Sequence, residues 1–150
     1  MRDTITMGSI AGLISTAVMT FYHWLFRFFG FKFIDTWETA ANIFLNRSLV
    51  HTPFGICIGF FGQFILGSIF GTTVAYTLRL TGKDYPWLKG IGVGAMIWFV
   101  SVGLFMKLLR LELEGRGQLF TNLMTIIDFI ILGTIDSIII AKYARFKKVN

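Results

Sequence analysis

Cysteine, proline, histidine and charge are all scarce in this chain. Of its 150 residues one is cysteine, two are proline and two are histidine. The single Cys57 excludes an internal disulfide and a multi-cysteine metal site, and it leaves the redox compartment unread. His23 and His51 make no metal-ligand spacing with it. Only 15% of the residues are charged, whereas a soluble domain of this length would carry about a quarter. No glycine-rich loop leads from a strand into a helix to cradle phosphate, and no nucleophile motif surrounds a serine. The sequence therefore predicts no cofactor, no metal and no catalytic residue. No linker, repeat or low-complexity tract divides the chain, and its length suits one domain, residues 1–150.

What is present in quantity is apolar. Hydrophobic residues make up 55% of the chain, with seventeen Phe and sixteen Gly. That composition fits packed membrane helices better than a soluble core. A spanning helix needs about 20 mostly apolar residues, and four stretches qualify: 8–29, 54–80, 88–109 and 119–141. The first has one base ahead of it, a long apolar part and no small-x-small cleavage site, so it reads as an uncleaved span. The turn "RLTGKDYPWLKG" (79–90) is short and makes the second and third spans antiparallel neighbours, with Gly82 suited to end one helix and Pro86 to start the next. The expected fold is all-α: a polytopic membrane protein of four transmembrane helices in an antiparallel bundle.

The net charge of +6 would suggest nucleic acid if the bases lined a soluble face. They sit instead at the ends of apolar spans, so anionic lipid is the expected partner and nucleic acid is not. The side shared by both termini and the 81–87 turn carries eight Lys and Arg, and the other side carries six. Four of the eight cluster in the tail "AKYARFKK" (141–148). By the positive-inside rule both termini are cytoplasmic. On the outer side, "FYHWLFRFFGFKF" (21–33) has eight aromatics in thirteen residues and reads as an interfacial belt. After it, 35–49 begins with Asp35 and has Glu38 three residues on, close to a capping box. Ile34, Trp37, Ala41, Phe44 and Ser48 fall near one helical face, which predicts a short helix lying on the outer membrane surface. A loop packing over the spans is the competing reading. "LELEGRG" (111–117), with Glu112 and Glu114, reads as a solvated loop.

Small residues recur four apart in every span: Gly8 and Gly12; Gly55 and Gly59, then Gly67 and Gly71; Gly90 and Gly94; Gly133 and Ser137. In lipid, helices gain little by hiding apolar surface from each other, and close approach through small residues supplies much of the contact. These seams predict tight packing within the chain. The glycine-rich second span could serve two interfaces, which leaves a homo-oligomer or another membrane protein open as partner.

The spans also hold polar groups. The first places Gly8, Gly12, Ser15, Thr16, Thr20, His23 and Arg27 on one arc, opposite Leu13, Phe21, Leu25 and Phe28. The fourth, "TIIDFIILGTIDSIII" at 125–140, puts Asp128 and Asp136 on its small, polar half. Both acids should face other helices, because an acid at a helix centre costs about 2.5–3.5 kcal/mol on insertion scales. At a rise of ~1.5 Å per residue, His23, Gln63, Ser101 and Asp128, one from each span, share a layer roughly 3–7 Å to the outer side of the middle. Arg27 lies one turn above, and Asp136 roughly 9 Å inward, level with Ser9, Thr73 and Tyr76. Two readings stand. The layer is a buried network in which Asp128 pairs with His23 or Arg27 and Gln63 completes it, or it is a proton or cation site, because histidine changes charge near neutral pH. Asp136 reads as helix-to-helix glue. A Ser101–His23–Asp128 triad could be drawn, and nothing else supports it.

The layout resembles the small four-span conserved membrane proteins of Gram-positive bacteria, the YqhR-like group, through "GSIAGLIS" opening the first span, "KDYPWLKGIGVGAMIW" and "TIIDFIILGTIDSIII" before a basic tail. The resemblance implies a bacterial plasma membrane and brings no catalytic residues. The function expected is a non-enzymatic structural or accessory subunit. The alternative is a small proton- or cation-coupled transporter or channel, working as an oligomer. On this orientation a C-terminal fluorescent protein that folds only in the cytoplasm should be bright, and a C-terminal phosphatase active only outside should be silent; the reverse pattern inverts the topology.

Overall fold

The computed structural model describes residues 3–30, 35–108 and 119–144. Every element among them is helical: α1 (Thr4–Phe28), α2 (Thr36–Phe44), α3 (Arg47–Val50), α4 (Pro53–Thr81), α5 (Pro86–Trp98), a π-helical stretch Phe99–Phe105, α6 (Met106–Leu108) and α7 (Leu119–Tyr143). Among the described residues four helices are long and apolar enough to cross a membrane: Thr4–Phe28, Pro53–Thr81, Pro86–Phe105 and Thr121–Tyr143. The end of the expected third span, the 111–117 loop and most of the basic tail lie outside the described residues.

The first helix begins four residues before its expected start. Asp3 caps it by accepting from the Thr6 N–H (2.7 Å) and the Thr6 hydroxyl, which satisfies donors that a helix start leaves open. Thr6's hydroxyl, then its N–H, hold the Asp3 carboxyl below the ordinary carboxylate value. Thr52 caps α4 in the same way, accepting from the Gly55 N–H (3.1 Å), with Pro53 as the first helical residue. Gly82, at φ +84°, ends α4, and Tyr85, at φ +50°, turns the chain into α5 at Pro86.

The helices form two close pairs. Gly8 and Gly12 of α1 lie against Gly67, Gly71 and Thr72 of α4, in reversed order, so the two run antiparallel. A Cβ on Gly12 would fall onto the Gly67 carbonyl, and one on Gly71 onto the Gly8 carbonyl. Gly90 and Gly94 of α5 meet Gly133, Ser137 and Phe129 of α7 in the same antiparallel fashion. Met7, Ala11 and Met19 of α1, Phe70, Val74 and Leu78 of α4, Val93 of α5, and Leu132 and Ile140 of α7 fill the space where the pairs meet. Leu13, Phe21, Leu25 and Phe28 of α1, expected opposite the polar arc, are exposed; of the bulky residues opposite the acids on α7, Ile127, Ile131 and Ile138 are exposed and Met124 is half-buried.

The other glycine motif of α4 has a different use. Gly55 lies under the Leu49 and Val50 carbonyls of α3, and Gly59 under Trp37 and Ala41 of α2. The second interface of α4 is therefore filled by its own chain. The single helix expected over 35–49 is two, because Leu45 and Asn46 take extended backbone and Asn46 starts α3. Ala40 and Ala41 are fully buried against α4, while Phe44 and Ser48, which share a predicted helical face with Ala41, are exposed. The Asp35–Glu38 capping box does not form either, since the Asp35 side chain makes no cap to α2.

Three of the bases counted for the terminal side have a structural use. Lys83 Nζ donates to the carbonyls of Ala141 (3.0 Å) and Ala144, and Lys89 Nζ to those of Thr81 and Gly82 (2.9 Å each). Both lysines thus satisfy the open carbonyls of helix ends, where a cation is also favoured by the helix dipole. Arg79 donates to the buried Thr4 hydroxyl (3.1 Å). The glycine seam has a direct test. Gly12→Ala should cost about 1–3 kcal/mol through overpacking. Gly92→Ala, where a Cβ meets nothing within 4 Å, should be neutral or slightly stabilising, and unfolding in mild detergent compares the two.

Candidate functional site: a buried histidine–aspartate pair

His23 lies on the small-residue arc of α1 and Asp128 on the polar half of α7, so the packing of those faces brings them together. His23 Nε2 and Asp128 Oδ2 are 3.0 Å apart, within hydrogen-bond distance, and both residues are buried. The contact joins the two glycine-locked pairs. Tyr22 packs against the imidazole at 5.3 Å between ring centres.

The rest of the expected layer divides. Gln63 comes to the same region but bonds to α1 rather than α7: its Nε2 donates to Thr20 Oγ1 (2.7 Å), and Thr20 Oγ1 donates to the Thr16 carbonyl (2.8 Å). Gln63 Oε1 is buried and has no hydrogen-bond partner among the described residues. Ser101 does not join. It sits in the π-helical stretch, half-buried, and among the described residues makes no hydrogen bond to His23, Gln63 or Asp128. A π turn holds more residues than an α turn, so positions beyond Trp98 rotate away from the face that α-helical counting assigns. Trp98 supplies the α5 tie at this level, donating from Nε1 to Thr125 Oγ1 of α7 (3.1 Å).

Arg27 turns away from Asp128. Its guanidinium pairs with Asp35, which also accepts from Trp37 Nε1 (3.1 Å). Asp35 is buried while about half of the Arg27 side chain is exposed. Asp35, just ahead of α2, thus lies against the last turn of α1. Asp35, whose spacing to Glu38 predicts a helix cap, is instead the partner of Arg27 and Trp37.

Asp136 is fully buried, and among the described residues neither carboxyl oxygen has a hydrogen-bond partner within bonding geometry. Ser15 of α1 is beside it, but the Ser15 hydroxyl donates to the Gly12 carbonyl (3.1 Å). The partners expected from depth lie elsewhere. Ser9 bonds with Thr72 (3.3 Å), and Ser9, Thr73 and Tyr76 line an open groove of about 530 Å³ on the outer face of α1 and α4. Equal depth did not mean the same side of α4. Ser137, next to Asp136, is fully buried against Gly90.

His51 stacks edge-on to Trp37, and Cys57 is exposed on α4. Among the described residues no group of three His, Cys, Asp or Glu is placed to hold a metal ion. No protein-family model, curated protein or solved structure matches the chain. What the pair can do chemically is hold a proton between two groups of different basicity, or tie α1 to α7. The two buried acids should respond differently to substitution. His23→Leu strips Asp128 of a partner and should cost about 1–3 kcal/mol. Asp136→Asn, which keeps the size of the side chain beside Ser15, should change stability by less than about 1 kcal/mol. Denaturant titration in micelles reads both.

Proposed function

We propose that this chain is a small integral protein of a bacterial plasma membrane, crossing the bilayer four times with both termini in the cytoplasm and α2 at the outer surface. It acts without catalysing a reaction, as a structural or accessory subunit of a larger membrane assembly. The observation that carries this reading is the distribution of polarity. His23, Gln63, Asp128 and Asp136 are buried, while Phe21, Trp24, Phe61, Ile69, Met96 and Ile138, spread over all four long helices, are exposed. That is the arrangement lipid demands, with the few intramembrane polar groups turned toward other helices. The His23–Asp128 contact then ties one helix pair to the other, where interhelical hydrogen bonds are worth about 1 kcal/mol each. The resemblance to the YqhR-like group agrees with this reading, and anionic lipid at the basic tail follows from the same orientation.

A second reading is a proton- or cation-coupled transporter or channel, working as an oligomer because four helices leave little room for a pore of their own. It is favoured by the chemistry of the pair, since a buried His–carboxylate couple suits proton transfer. Asp128→Asn and Asp128→Leu separate the two. A subunit role expects Asn to keep folding and the set of proteins copurified in mild detergent, with Leu losing both. An Asn variant that folds normally but abolishes pH-dependent flux in liposomes would move the assignment to transport.

A further inference from the structure

Beside the glycine seam that joins α1 to α4, the two helices leave an open groove of about 530 Å³, lined by α1 and α4 alone. Its floor is made of the short side chains Ser9, Ser68 and Thr72, half-buried next to Gly8, Gly67 and Gly71. Its walls are Ile5 and Leu13 on α1 and Ile65 and Ile69 on α4, all exposed. Bulky walls over a small floor make a trough along the helix axes. The floor hydroxyls are satisfied within the chain. Those of Ser9 and Thr72 bond each other (3.3 Å), and Ser68 donates to the Phe64 carbonyl of its own helix (3.0 Å). An alkyl chain can cover such a floor without leaving a polar group unpaired. The part walled on both sides, residues 5–13 of α1, runs roughly 12 Å along the helix. One leaflet of hydrocarbon is roughly 15 Å deep.

One end of the trough carries a cation. Tyr76 is the last α4 residue in the lining, and Arg79 follows it by one turn. Arg79 is exposed, and its guanidinium donates to the hydroxyl of Thr4, the neighbour of the Ile5 wall (3.1 Å). That bond uses one of five N–H donors. Among the described residues Arg79 has no carboxylate partner. Asp3, the acid beside Thr4, accepts instead from the Thr6 N–H and hydroxyl. Lys83 and Lys89, the bases of the adjoining turn, are committed to helix-end carbonyls. A guanidinium without an acid matches phosphate through paired N–H donors, and tyrosine suits the level of the headgroups. We propose that this groove binds one anionic phospholipid, its acyl chain lying over Ser9, Ser68 and Thr72 and its phosphate on Arg79 beside Tyr76. The inference rests on the membrane reading given above, whose orientation makes this the cytoplasmic leaflet, the one with the negative surface potential. The site is separate from the basic tail.

The test is native mass spectrometry of the whole protein, released from micelles that contain equal amounts of phosphatidylglycerol and phosphatidylcholine. The parent should retain one phosphatidylglycerol at least about five-fold over phosphatidylcholine, the preference that one cation near an anionic surface supplies. Arg79→Gln should hold the two lipids alike, and Arg79→Lys should keep the preference. Ser68→Phe and Ile69→Trp, which fill the trough from floor and wall, should retain neither lipid, and circular dichroism checks that each still folds. A parent that holds no lipid, or shows no headgroup preference, overturns the proposal. So does a preference that survives Arg79→Gln, or a folded trough variant that binds lipid like the parent. A parent dimer that either trough variant turns into a monomer gives the groove to a second copy of the chain and overturns it as well. The membrane reading fails by a different result, release of the chain from membranes by alkaline carbonate without detergent.

Discussion

No Cβ fits between Gly12 of α1 and Gly67 of α4, or between Gly90 of α5 and Gly133 of α7, and the remaining contacts depend on that closeness. In lipid there is no hydrophobic gain from turning leucine away from hydrocarbon, so association must come from van der Waals contact and interhelical hydrogen bonds. Backbone against backbone maximises the first. It also fixes rotation. With Gly8, Gly12 and Gly67 at the seam, Ser15, Thr16 and His23 of α1 are turned inward. With Gly133 at the seam, Asp128, Asp136 and Ser137 of α7 are turned inward as well. The polar contact between α1 and α7 is a consequence of two glycine seams.

The two buried acids illustrate how differently one helix can treat the same side chain. Asp128 has His23; Asp136, two turns further on, has only Ser15 beside it and, among the described residues, no hydrogen bond of good geometry. A buried polar group left unpaired is costly, and its retention asks for an explanation that pairing does not supply. The Arg27–Asp35–Trp37 cluster shows the opposite economy. A cation that could have reached into the helix assembly is drawn to the surface, leaving the histidine as the basic partner of Asp128.

Much of this was legible in the letters because apolar helices obey few rules. Length and hydropathy gave the long helices, and α-helical spacing gave the inward faces of α1 and α7. The failures share a cause, which is that one-dimensional counting assumes regular helices and treats depth as proximity. The π-helical stretch from Phe99 shifts Ser101 off its expected face. The break at Leu45–Asn46 splits the helix over 35–49. Asp136 shares a depth with Thr73 and Tyr76 but not a side. Arg27 pairs with Asp35, eight residues on and outside the helix, a contact that helical spacing does not reach.

The sequence by itself determined that four long helices would form, that their small residues would make seams, and that His23 and Asp128 would turn toward other helices. Those are properties of a single helix: its length, its 3.6-residue period and the cost of polar atoms in an apolar surround. Only the tertiary structure decided which seam met which, that α4 spends its outer glycines on α2 and α3, and that Gln63 binds Thr20 while Asp136 lies beside Ser15. Partner choice among several small-residue stripes depends on fit over whole faces, and no local pattern encodes that.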